Sequence, residues 1–258
     1  MTLHYHGTPI TPRSELLRLA GHSFCVSFKN PNDVEVCHQI GESVMLDNGA
    51  FSFWRAGEGE QPYGEWYNDE RIFRGYRGTG LYSRYLQWCV KWTAYRTTWV
   101  VIPDAIDAGA EVNENLMNLW PLNEVSKQQS APVWHLDEPI DRLKFLITNR
   151  GGWPKICIGS AGRFANVGDA AWRRRMDHVF NRIANTYGRV PWLHMLRGMQ
   201  LCRPEWGYPF ASLDSTDVAQ NHHISKNARA RAESWNAAQC PAEWHPRMEQ
   251  QELISDTG

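Results

Sequence analysis

The sequence predicts an α/β chain whose parallel sheet closes into a (β/α)8 barrel of the TIM type, with an Arg- and aromatic-rich insertion after an early strand. Three observations point there. Eight short apolar runs recur along the 258 residues, most of them ending in a polar or glycine-containing turn. Amphipathic stretches of helical period separate several of the runs. The length suits one barrel, which takes about 250 residues as a single domain. Continuous apolar runs bounded by turns are what strands buried on both faces require, and helices between them cover the outer face. A doubly wound open sheet meets the same pattern and stays open at this level.

In chain order the runs are Leu3–Gly7, Ser23–Phe28, Val44–Gly49, Thr98–Asp104, Ala131–Glu138, Lys155–Gly162, Trp192–Gly198 and Pro209–Ser215. Covering helices are expected over Ala108–Trp120, Ile140–Thr148 and Ala170–Thr186. The tail from about 220 to 258 is Ala-rich in its middle and is read as a closing helix, with a polar, frayed end. The whole chain is read as one domain without internal repeats.

The formal charge of -1 and pI near 6.8 give no global field that would draw a polyanion, so any nucleic-acid surface must be local. No apolar stretch approaches the roughly 20 residues needed to span a bilayer, so no membrane partner is expected. The six cysteines are scattered without a CxxC spacing. With no signal peptide at the start, a reducing cytoplasm is expected, or the host cytoplasm if the chain is phage-encoded. Cys202, His222, His223, Cys240 and His245 match no tight zinc spacing, and neither a metal nor a cofactor is expected.

In a barrel, chemistry gathers at the carboxyl ends of the strands. The residues there are Asp47, Asp104, His135 with Asp137, Gly159 with Ser160, Arg197 with Gly198, and Asp214. An Asp that follows a strand can simply cap the next helix. Three such acids at three strand ends, Asp47, Asp104 and Asp214, also make a pocket in which one carboxylate attacks a sugar carbon and another moves a proton. A third can accept the N–H donors of a guanine-like base.

The connection from about 55 to 97 is too long for a simple βα turn. It interleaves Arg71, Arg74, Arg77 and Arg84 with Tyr63, Trp66, Tyr67, Phe73, Tyr76, Tyr82, Tyr85, Trp88 and Trp92. Such a mixture can hold phosphates and stack on unpaired bases; it also suits a helix with a packed aromatic face and solvated arginines. A second basic stretch includes Arg173, Arg174 and Arg175, which a solvated helix face would also explain.

These segments resemble a family. LDNGAF (Leu46–Phe51) looks like the DSGGFQ-type strand end of the tRNA-guanine transglycosylases, and VVIPDAID (Val100–Asp107) is similar to their strand with a base-recognising Asp. ICIGSAG resembles their GGLAVGE-type turn, WLHMLRGM their HYLMGVG-type strand, and FASLDSTDVAQN the segment that bears the nucleophile. The matches fall in family order from Val44 to Asn221. The resemblance implies a base-exchange glycosyltransferase working through a covalent aspartyl-glycosyl intermediate. Asp214 would be its nucleophile, Asp47 the acid/base, and Asp104 the base-binding residue. Asn48, Gly49, Phe51, Asp107, His135, Gly159, Ser160, His194, Met195, Arg197 and Gly198 would line the substrate pocket. His135 stands where the family commonly has a Gln.

The chain lacks the family's CxCxxC…H zinc run and is short. Both features make it most similar to the compact, often phage-borne relatives that replace guanine in DNA with a 7-deazaguanine such as preQ0. DNA is therefore the favoured partner over tRNA. The alternatives are a tRNA enzyme, a barrel nucleosidase or glycosidase that hydrolyses an N-glycosidic bond, and a binding protein on the same fold.

Overall fold

A computed structural model describes residues 1–55 and 80–247. Among these residues nine strands form one wholly parallel sheet: β1 Leu3–Gly7, β2 Ser23–Ser27, β3 Val44–Asp47, β4 Thr98–Val101, β5 Ser130–Ala131, β6 Val133–His135, β7 Ile156–Gly159, β8 Leu193–Met195 and β9 Ser212–Ser215. Their order is β5-β4-β3-β2-β1-β9-β8-β7-β6. The two ends of that order are neighbours in the chain, separated by Pro132 alone. Pro132 has no N–H to donate toward β7, while its carbonyl on that same side still accepts from Cys157 at 2.9 Å. The sheet thus curls back to make a nearly closed barrel.

The apolar runs predict the strands well, because each strand is covered on both faces. One buried cluster packs the sheet against its helices, and a second, comprising Tyr5, Cys25, Met45, Trp99, Val101, Ala131, Val133 and Cys157, fills the barrel interior. Successive residues alternate between the two, as the period of a strand demands. Val44 and Leu46 join the outer cluster while Met45 faces inward, which leaves Asp47 on the inward side at the strand end. Inside the barrel the Trp99 indole N–H donates to Tyr5 Oη at 2.9 Å, so the largest interior ring keeps its donor satisfied.

The outer layer includes α1 Arg13–Leu17, α2 Val34–Ile40, α3 Ala50–Phe53, α4 Leu81–Trp92, α5 Ala110–Asn118, α6 Ile140–Thr148, α7 Ala170–Tyr187, α8 Asp217–Asn221 and α9 Ala228–Asn236. The Asp169 carboxylate caps α7 by accepting from Trp172 N at 2.7 Å, and the left-handed Gly188 ends it. Asn227 caps α9, the closing helix expected in the tail.

Of the insertion after β3, the end from residue 80 is described, and it is the crossover helix to β4. Leu81, Tyr82, Tyr85, Leu86, Cys89 and Trp92 recur at helical spacing and are buried. Tyr85 Oη donates to the carbonyls of Val101 at 2.6 Å and Leu46 at 3.2 Å, tying α4 to β3 and β4. These aromatics are packing residues and are not available for base stacking. Tyr63, Trp66, Tyr67, Arg71, Phe73, Arg74, Tyr76 and Arg77 lie outside the described residues. No helix among the described residues is long and apolar enough to cross a membrane.

Candidate active site

The carboxyl ends of the strands bring Asp47, Asp104 and Asp214 to one mouth. Asp47 ends β3, Asp214 lies in β9, and Asp104 follows β4 by three residues. Asp104 and Asp214 are buried, 6% and 7% exposed, and Asp47 is half-buried. Confining three acids to a space poor in water is costly unless cations or protons compensate.

Asp47 shows that cost. Burial first, and then the charges of Asp214 and Asp104, push its carboxyl up to about 7, against smaller opposing hydrogen bonds from Ser27 and the Gly49 N–H. Its Oδ2 accepts from Gly49 N at 3.0 Å. Gly49 adopts a left-handed φ of 80°, and a Cβ there would stand 3.1 Å from Phe53 and 3.2 Å from Ser27 Oγ. Glycine is required for the turn that aims this N–H at Asp47.

Asp104 is held from both sides. Asn48 Nδ2 donates to its Oδ1 at 2.6 Å and also to the Ile102 carbonyl at 3.0 Å. His135 Nε2 meets its Oδ2 at 2.8 Å. Burial disfavours protonation of His135, but the hydrogen bond and charge of Asp104, with Glu138 and Asp137 behind them, outweigh it and raise the imidazole pKa. Its Nδ1 is buried without a partner among the described residues. Beneath this pair Glu138 accepts from His135 N at 3.1 Å, Asn113 Nδ2 at 2.8 Å and Arg142 at 2.7 Å. The loops after β4 and β6 are thereby locked together.

Asp214 is held through one oxygen. Its Oδ1 accepts from Arg197 N at 2.7 Å and from His194 Nε2 at 3.2 Å. Arg197 adopts a left-handed φ of 56°, unusual for a residue with a side chain, and this turn directs its N–H at Asp214. Its guanidinium lies 3.4 Å from the centroid of the Phe51 ring. Burial lowers the Arg197 pKa, while Asp214, Asp47 and Asp104 draw it back up. Arg197 and His135 therefore face three carboxyls, and the raised pKa of Asp47 favours a proton there.

The remaining predicted residues fall into three groups. Gly159 is the register partner of His135, and a Cβ there would lie 2.5 Å from His135 Nδ1, so the imidazole needs a glycine beside it. Ser160 is buried and its Oγ accepts from Trp172 Nε1 at 3.0 Å, which turns the hydroxyl toward α7. Asp107 sits on the rim with a φ of 61° and accepts from Gly162 N at 3.1 Å.

Met195 points away from the mouth into the outer cluster, and Gly198 packs against the Met195 side chain. Neither is brought to the carboxylates, because strand alternation turns His194 inward and its neighbour outward.

The basic residues are less free than their spacing suggests. Arg84 is exposed on α4 and Arg174 on α7. Arg173 Nε donates to the Gly168 carbonyl at 2.9 Å, with its guanidinium 4.0 Å over Trp206. Arg175 donates to the carbonyls of Leu136 at 2.8 Å and Glu138 at 2.6 Å, which fixes the loop after β6. Among the described residues no group of three or more His, Cys, Asp or Glu side chains converges as a metal site.

Residue spacing did not reveal Asn48 as the bracket of Asp104, nor Glu138, Asn113 and Arg142 beneath His135. The acid-bearing strand ends were the only signal. No protein-family model matches the chain, and neither a curated protein nor a solved structure does.

Proposed function

We propose that the mouth is the active site of a base-exchange glycosyltransferase that replaces guanine in DNA with a 7-deazaguanine. Counting β5 and β6 as one strand broken at Pro132 gives eight strands, in keeping with a TIM-type barrel. One observation carries the functional reading: Asp47 and Asp214 stand at the same mouth with different chemical dispositions. Asp47 is driven toward its protonated form at neutral pH, while Asp214 is oriented by two donors on a single oxygen. A pair of carboxyls so differentiated suits a general acid and a nucleophile.

In the first step an oxygen of Asp214 bonds to C1′ as the N-glycosidic bond breaks. The electron pair leaves on the purine nitrogen, and the proton of Asp47 neutralises the departing base. In the second step the incoming base gives its ring proton to the Asp47 carboxylate and displaces Asp214, restoring both residues. Asp104 holds the base: a carboxylate has about four lone pairs, so its bonds to Asn48 and His135 leave room for the base's N–H donors. Phe51 and the Arg197 guanidinium offer flat faces for the heterocycle.

DNA is favoured over tRNA because the chain lacks the CxCxxC…H run of the tRNA enzymes. A stacked nucleotide shields C1′, so the target base must be flipped or single-stranded. The test is incubation with guanine-labelled DNA and, separately, labelled tRNA, with and without preQ0. The reading predicts preQ0-dependent label release from DNA that Asp214→Ala abolishes. Release from tRNA alone would assign the other polymer. Free guanine with an abasic site would make the protein a hydrolase.

A further inference from the structure

His194 is buried inside the barrel, yet it touches the residue proposed to do the chemistry. It is fully buried, with ring neighbours Trp99 at 5.2 Å, Tyr5 at 5.8 Å and Trp192 at 6.4 Å. His194 and Ser212 are register partners on β8 and β9, so they share one layer of the interior, and Asp214 sits two residues further along β9. Nδ1 of His194 lies 2.7 Å from Ser212 Oγ, and Nε2 lies 3.2 Å from Asp214 Oδ1.

The three side chains repeat the members of a hydrolytic triad in inverted order. In a triad the serine is at the open end and the buried acid orients the histidine. Here Ser212 is fully buried, and the acid stands at the mouth. No substrate can reach the Ser212 hydroxyl, so the chain of contacts serves the aspartate.

We infer that His194 is a positioning residue for Asp214: held by Ser212 at Nδ1 and donating from Nε2, it pins Oδ1 and leaves Oδ2 as the oxygen that attacks. The geometry assigns each atom. Asp214 can only accept, so the proton between it and the ring belongs to Nε2, while Nδ1 is held by the Ser212 hydroxyl, which can donate or accept. The Arg197 N–H arrives on the same Oδ1, so both donors restrain one oxygen. Among the described residues no donor meets Oδ2. A carboxylate free to rotate would place either oxygen at the reacting carbon; a carboxylate pinned at Oδ1 presents one.

The catalytic consequence rests on the base-exchange reading, but the Nε2–H bond to Asp214 does not. Two variants separate shape from hydrogen bonding. His194→Phe keeps an aromatic ring in the same space without a donor. His194→Gln can place an amide N–H near the position of Nε2. Misplacement of a reacting group by about 1 Å costs on the order of 100-fold. His194→Phe should lower kcat for base exchange by roughly that factor with KM within about twofold, and His194→Gln should recover most of it. Both variants should melt cooperatively. A His194→Phe enzyme with wild-type kcat, or one altered only in KM, would overturn the assignment.

The second arm needs no turnover. In ¹⁵N-histidine NMR of the wild type, Nε2 of His194 should carry a proton, and that resonance should shift in Asp214→Asn. An Nε2 without a proton, or a signal indifferent to Asp214→Asn, would overturn the inference. If the wild type exchanged no base on DNA or tRNA, the functional reading would fail while the NMR still decided the role of His194.

Discussion

His135 Nε2 stands 2.8 Å from Asp104 Oδ2, a buried pair that ties the loop after β4 to the end of β6 at the mouth. Removing the carboxylate leaves the imidazole without its counter-charge. Asp104→Leu should therefore cost about 3–5 kcal/mol, the usual result of breaking a buried pair. The part due to the raised His135 pKa is fully present below the unfolded value of 6.5 and fades as pH rises through the folded one. Chemical denaturation of wild type and variant at pH 5.5 and 9 checks both points: the difference should be larger at pH 5.5.

Asp47 titrates in the opposite sense from a salt-bridged acid. Its folded pKa, about 7, lies above the ordinary 3.8, so folding binds a proton there that the unfolded chain does not hold at neutral pH. The stability associated with that proton is complete below pH 3.8 and lost as pH rises through 7. Asp47→Asn should stabilise the protein by about 1–3 kcal/mol at pH 8.5, allowing for the partial exposure of the group, and by little at pH 4. The same variant should lose the catalytic step that needs its proton. In the wild type, that step should slow above pH 7. Urea titrations and a pH–rate profile measure the two effects.

Arg197 couples backbone strain to the site. Its left-handed conformation costs a residue with a Cβ on the order of 1 kcal/mol, which glycine avoids. The guanidinium's contact with Phe51 contributes a similar amount in the other direction. Arg197→Gly should thus fold with nearly wild-type stability, keep the N–H on Asp214 and weaken substrate binding. Arg197→Val should lose about 2 kcal/mol or more, because a β-branched residue fits this conformation worst. Thermal melts of the two variants should differ clearly in Tm.

Gly159 makes space for His135. A methyl group 2.5 Å from Nδ1 would push the imidazole away from Asp104. Gly159→Ala should cost about 1–3 kcal/mol as an overpacked core position, with the His135 titration moved downward as the pair lengthens. Histidine NMR titration alongside denaturation reads both effects.

The strand ends were legible because every strand is buried on both faces, so the apolar runs Val44–Leu46 and Ile156–Ile158 stand out without alternation. Helix α4 was legible too: the recurrence of Leu81, Tyr85, Leu86, Cys89 and Trp92 carries a helix-packing signal, and that packing decides against base stacking by Tyr82 and Tyr85. The division at Pro132 depends on which side of the strand needs the missing N–H, which only pairing reveals. The clasp on Asp104 joins residues 48, 104 and 135, and no local pattern predicts which side chain of a loop turns inward. His194 and Met195 differ by one position in a three-residue strand, too short for period-two reasoning to assign their faces.

The central claim is that Asp214 attacks a sugar carbon at this mouth. The most direct measurement is intact-protein and peptide mass spectrometry after quenching the enzyme with guanine-containing single-stranded DNA in the absence of an incoming base. The account predicts a covalent DNA adduct on the peptide carrying Asp214, absent in Asp214→Ala and discharged by adding preQ0. An adduct on Asp47, or release of guanine with no adduct at either residue, would contradict it.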